Sequence, residues 1–92
     1  MIQKNDWRLR DQGCYLKGKT LFHRNWRTRS LKWDHDHCEF CWGKFSDADG
    51  DRHEGYTTED NYHWICHACF RDFEAMFDWD VIEDMEIGRA HV

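Results

Sequence analysis

Two cysteine pairs carry the clearest chemistry in this chain: Cys38-Glu-Phe-Cys41, and after 24 residues, Cys66-His-Ala-Cys69. A Cys-x-x-Cys turn brings two sulfurs to the same side of the backbone, and two such turns supply the four thiolates of a tetrahedral zinc site. The spacing predicts one structural Zn²⁺ held by Cys38, Cys41, Cys66 and Cys69. The competing readings are a reduced, metal-free cluster of buried cysteines, a disulfide framework and an iron–sulfur centre. Cys14 is left over, and an odd cysteine count argues against a secreted disulfide scaffold. The start of the chain, Met1-Ile-Gln-Lys-Asn-Asp, is polar and offers neither a signal peptide nor a membrane span, so the expected location is a reducing cytoplasm.

Histidines are the other candidate ligands. His35 and His37 stand directly before the first pair, and His67 stands inside the second. They are read as residues orienting the cysteines or as a secondary metal site, because four thiolates already complete a zinc shell. His53 and His63 are spare imidazoles near the second pair. Asp47, Asp49 and Asp51 alternate as in a calcium loop, but Arg52 and Thr58 stand where such a loop needs glycine and a carboxylate. This stretch is expected to be an exposed acidic turn.

The elements that must position the cysteines can be read around them. Tyr62-His-Trp-Ile65 is expected to be a strand leading into Cys66, paired with a strand over Glu54-Gly-Tyr-Thr-Thr58. Beyond Cys69, Phe70, Phe73 and Phe77 recur at i, i+3 and i+7, with Met76 beside them and Asp72, Glu74 and Asp78 on other faces. That is one apolar face of a helix. A knuckle, a hairpin and a helix whose first turn supplies the last two ligands make up a small α+β unit. Cys66-His-Ala-Cys69 resembles the CxAC that opens the helix of GATA-type and related treble-clef fingers, which implies a treble-clef fold and says nothing of activity. Asp34-His-Asp-His37 is similar to the string found in the endonuclease VII branch of His-Me finger nucleases, itself a treble clef with two cysteine pairs. In that family the string lies between the pairs and an asparagine follows the last cysteine. Here it precedes the first pair, and Phe70 takes the asparagine's place. The chain also resembles short uncharacterised bacterial zinc-finger proteins with the same Trp33-Asp-His-Asp-His-Cys-Glu-Phe-Cys-Trp42 knuckle.

Ninety-two residues suit one domain with a modest core, for which a metal staple is physically reasonable. Aromatic residues make up 16% of the chain and charged ones 34%, a pairing that favours a core of large rings over disorder. The net charge of −5 hides an asymmetry: residues 1–33 hold nine Lys/Arg against two Asp/Glu, and residues 34–92 hold four against sixteen. Residues 1–33 are expected to be a basic, β-rich extension packing on a finger domain over 34–92. Its elements are a hairpin, Tyr15-Leu16 with Thr20-Leu-Phe-His23 around Lys17-Gly-Lys19, and a strand at Leu31-Lys-Trp33. The end, Trp79 to Ile87, reads as a second helix, an edge strand or a tail, with Val81, Ile82 and Met85 able to close the core.

A closed four-sulfur shell and the absence of a local thiol-catalysis signature point away from an enzyme, so no catalytic residue is assigned. The acidic finger points to a protein-interaction module, an inhibitor or adaptor for a partner with a basic surface, acting as a monomer or small homo-oligomer without membrane contact. The alternative is nucleic-acid binding through Arg24, Arg27, Arg29 and Lys32, which interleave with Trp26 and Trp33. A His-Me finger nuclease is the weaker alternative.

Overall fold

The computed structural model describes residues 6–28 and 30–84. Its elements run in the order α1 (Gly13–Leu16), β1 (Thr20–Asn25), β2 (His35–His37), β3 (Lys44–Ser46), β4 (Glu54–Thr57), β5 (Trp64–Ile65), α2 (His67–Phe77) and β6 (Asp80–Glu83). Among the described residues two sheets form: a four-stranded one in the order β5-β4-β1-β6, and the β2–β3 hairpin that carries the first cysteine pair. The architecture is a small mixed α+β unit.

The second half follows the sequence pattern closely. Strands β4 and β5 pair antiparallel, Tyr56 opposite Ile65 and Thr57 opposite Trp64, and the chain passes from β5 straight into α2. The helix buries Cys69, Phe70, Phe73 and Phe77, the face that the i, i+3, i+7 spacing marks. It stops at Asp78, whose left-handed φ of 57° lets its N–H reach back to the Glu74 carbonyl. Trp79 then folds under the helix and donates its indole N–H to the Leu16 carbonyl at 2.9 Å.

Aromatic rings make most of the core. Phe40, from inside the first Cys-x-x-Cys turn, is fully buried and stacks on Phe73 at 4.6 Å, so the knuckle and the helix share one packing layer. Tyr56 stacks on Phe70 at 3.8 Å, and Phe70 in turn stacks on Trp79. Gly55 has no room for a side chain: a Cβ there would lie 2.8 Å from the Ile65 carbonyl oxygen and 2.8 Å from the buried Phe45 ring.

The first third differs from the sequence expectation in two places. Tyr15-Leu16 is not a strand. It closes the single turn α1, and Gly18, at φ 74°, reverses the chain into β1. The cause is the buried Gln12, whose amide donates to the Arg8 carbonyl at 2.8 Å and to the Glu39 carbonyl at 2.9 Å while its oxygen accepts from the Arg10 N–H. A residue that satisfies three backbone groups holds the segment in a turn. Leu31-Lys-Trp33 is also not a strand: Trp33 N–H closes a tight turn on Ser30, and Leu31 is 99% exposed.

Strand β1 pairs instead with β4, antiparallel, and with β6, parallel. Strand β6 is thus an edge, one of the alternatives the sequence left open. Its Val81 and Ile82 are partly exposed and do not close the core. Met85 lies outside the described residues. Among the described residues no helix is long and apolar enough to cross a membrane.

Candidate metal centre

The first cysteine pair sits in the turn between β2 and β3. Backbone bonds Cys38 N–H to Gly43 O (2.7 Å) and Trp42 N–H to Cys38 O (3.1 Å) close that turn, and Phe40 N–H points at the Cys38 sulfur (3.4 Å). The second pair is positioned by α2. Cys66 is its N-cap and Cys69 lies in its first turn, so the helix's free N–H groups and positive end face the sulfurs. Two bonds tie the halves together: Glu39 N–H to Trp64 O at 2.8 Å, and Cys66 N–H to Cys38 Sγ at 3.4 Å.

The result is one cluster in which the four Sγ atoms all lie within 4.8 Å of one another, three of the residues buried and Cys41 partly so. Cys41 and Cys66 are 3.7 Å apart at sulfur. Four thiolates about 2.3 Å from a tetrahedral zinc would be spaced about 3.8 Å, so the donor set fits such an ion in number, softness and spacing. The group can hold a metal ion. The hydrogen bond shared with Cys66, together with burial, pushes the Cys38 thiol up to about 11, while Cys66, accepting from Cys38 and Cys69, is lowered. Sulfurs this close cannot all be ionised together unless a cation stands among them.

The basic segment contributes a further group. Arg8 Nη1 lies 3.5 Å from Cys69 Sγ and 3.0 Å from Asp72 Oδ2, Nε is 2.9 Å from Asp6 Oδ1, and the guanidinium lies over the Phe73 ring at 4.6 Å. Arg10 Nη2 donates to the carbonyls of Glu39 (2.9 Å) and Phe40 (3.2 Å). Neither residue was singled out by spacing or motif. No local pattern links positions 8 and 69, which only the fold brings together.

The histidines lie apart from the sulfurs. His35 is exposed and paired with Asp34 at 2.8 Å, and His37 faces it edge-on at 5.1 Å. His67 starts α2 but turns to the Tyr56 hydroxyl, 3.3 Å away. Among the described residues, the metal-capable group consists of the four cysteines, and Cys14 is exposed away from it. Of the basic residues, Arg24 is committed within the sheet, to Asp84 Oδ2 at 2.6 Å, Asn61 Oδ1 at 2.8 Å and the Glu59 carbonyl at 3.1 Å. Arg27 and Lys32 are exposed, and Arg29 lies outside the described residues. Asp47, Asp49 and Asp51 lie in the loop between β3 and β4, with Asp51 accepting from the Ser46 hydroxyl at 2.6 Å. Compared with known proteins, the chain matches no family model, no curated protein and no solved structure.

Proposed function

We propose that this chain is a treble-clef module stapled by one structural zinc, and that it works in the cytoplasm by binding another protein with a basic surface, as an inhibitor or adaptor. Four sulfurs fill a tetrahedral shell and leave no position for a substrate, which supports a structural rather than a catalytic metal. The order of knuckle, hairpin and cysteine-bearing helix start supports the treble-clef reading.

One observation carries the choice of partner. Arginines that make the first third basic are used inside the molecule: Arg8 on Cys69, Asp6 and Asp72, Arg10 on the knuckle carbonyls, and Arg24 on Asp84 and Asn61. Arg8 and Arg24 are half-buried and Arg10 is tied to backbone carbonyls, whereas Asp49, Glu59, Asp60, Glu74 and Asp80 are exposed. An acidic surface on a small rigid body suits a basic groove, and electrostatic steering would set its on-rate.

The test is capture on zinc-loaded protein from a nuclease-treated lysate, followed by reconstitution with the isolated partner. The reading expects a basic protein whose affinity falls at least about tenfold from low to high salt. Tight binding of DNA or RNA by the same protein, weakened by alanine at Arg27 and Lys32, would replace it with the nucleic-acid reading. A second metal bound through His35 and His37, with cleavage of DNA, would replace it with the nuclease reading.

A further inference from the structure

The knuckle holds a residue that its metal role does not require. Trp42 follows Cys41 with φ 67°, a left-handed conformation that is costly for a bulky side chain and free for glycine. Burial does not explain the choice, since Trp42 is 60% exposed. Strained residues of this kind concentrate where a side chain is needed for function. The ring has such a setting: with Trp33, Tyr62 and Tyr15 it walls an open cavity of about 480 Å³ beside the metal centre.

The walls are held in place. Trp33 Nε1–H donates to Asp36 Oδ2 at 2.8 Å, and the same oxygen accepts from the buried Trp26 at 2.9 Å. Tyr62 meets Trp33 edge-on, with ring centres 6.2 Å apart. The Tyr15 hydroxyl donates to Glu39 Oε1 at 3.0 Å, and Glu39 Oε2 lies 2.8 Å from His63 Nδ1. Four rings and two carboxylates thus stand preorganised around one space.

The charge of that space selects its ligand. Asp36 and Glu39 face it, and Cys38 is part of its lining, with the four-cysteine cluster behind. With zinc bound, that centre would carry two negative charges. Arg10 is the guanidinium on the wall, already bonded to the Glu39 and Phe40 carbonyls and lying 5.0 Å from the Trp42 ring centre, and His37 stands beside it. Phosphate would meet two carboxylates. A cation would meet those carboxylates and a wall of aromatic rings, a setting whose π quadrupoles attract cations.

We propose that this cavity receives an alkylammonium group, the head of a lysine side chain on a partner protein, and binds it more tightly when the nitrogen is trimethylated. Methylation removes the ammonium's hydrogen bonds to water and leaves the charge, so aromatic walls then recover more of the binding energy. This inference rests on the protein-interaction reading and assigns its contact point.

The experiment follows the indole N–H signals of the ¹⁵N-labelled, zinc-loaded chain by NMR at constant ionic strength. The probes are N-acetyl-trimethyllysine amide and N-acetyl-lysine amide, with adenosine monophosphate and sodium phosphate as anionic comparators. Saturable shifts at Trp33 and Trp42 are expected with both lysine probes, tighter by about threefold or more for the trimethylated one, and none with the anions. Trp42→Gly removes a ring without forcing the turn. It should keep one zinc, melt at the same or a higher temperature and bind the trimethyllysine probe at least about tenfold more weakly. Unsaturable shifts, tighter binding of adenosine monophosphate, or unchanged affinity in a zinc-loaded Trp42→Gly chain would each overturn the inference. If the probes fail while a basic protein still binds in a salt-dependent way, the cavity assignment falls and the interaction reading stands. If the probes bind and no basic protein does, that broader reading falls and the cavity stands.

Discussion

Arg8 places a fixed positive charge against a cluster that would hold a metal through four thiolates. It is held by Asp6 and Asp72, covers Phe73, and reaches Cys69 Sγ at 3.5 Å. Its side chain is only 13% exposed, so solvent screens the contact weakly. Arg8→Gln should therefore weaken zinc binding roughly 10- to 100-fold, the usual effect of losing a partner of a metal ligand. Competition with a chromophoric chelator measures this, and saturating zinc should restore the wild-type far-UV spectrum. Arg8→Lys should recover part of the affinity, because an ammonium keeps the charge but cannot fork between Asp6, Asp72 and Cys69. An unchanged zinc affinity in Arg8→Gln would show that the contact is only packing. The cysteines were legible because their spacing is the chemistry. Arg8 was not, since 61 positions separate it from its sulfur and nothing in the sequence distinguishes it from Arg10 or Arg27.

At the scale of elements, β4 joins the metal half to the first third, and its two ends are tightly constrained. Gly55→Ala would push a methyl into the Ile65 carbonyl, which belongs to the β4–β5 pair, and into the fully buried Phe45 ring. A loss of about 1–3 kcal/mol in denaturant melts is expected, as for other overpacked core sites. His23 joins three strands: from β1 it meets Glu54 of β4 at 2.6 Å and Glu83 of β6 at 2.8 Å, and its ring stacks on Tyr56. Burial works to lower its pKa, but the two carboxylates outweigh burial and raise it. A histidine raised on folding adds stability below its unfolded pKa of about 6.5 and loses it as pH climbs through the folded value. Amide exchange in β6, corrected for intrinsic rates, should therefore quicken from pH 6 to pH 8, and His23→Gln should remove that dependence. The effect should stay below about 1 kcal/mol, since Glu83 is exposed and the Glu54 side chain is only partly covered. Helix α2 was readable because its three phenylalanines keep the helical period. The turn α1 was misread as strand because Gln12, which fixes it, bonds to backbone 27 residues away at Glu39. Pairing of β1 with β4 and β6 was likewise invisible, as a register between distant strands leaves no local pattern.

For the whole molecule, the question is whether the ring core or the metal holds the fold together. The two cysteine pairs come from different elements, and the knuckle's Phe40 packs on the helix's Phe73, so the cysteine cluster and the core bridge the same gap. A domain of this size is held by about 5–15 kcal/mol in total, and structural zinc in small fingers binds with an apparent ~10–16 kcal/mol. Burial is limited in so short a chain, so the contribution of a zinc bound at the four cysteines would be large enough to decide the outcome. Stripping the ion with a strong chelator should abolish the near-UV circular dichroism of the packed tryptophans and the amide protection of β4, β5 and α2 together. β1 should lose protection with them, because it pairs with β4 along four residues. Cys38→Ser should behave like the stripped protein at micromolar zinc. Cys14→Ser should keep one metal and the wild-type melting temperature, because Cys14 is exposed outside the cluster. If the stripped chain instead kept its near-UV signal and melted within a few degrees of the loaded one, the aromatic layer alone would suffice. The four cysteines would then be a site on a finished fold, and the metal could come and go without unfolding it.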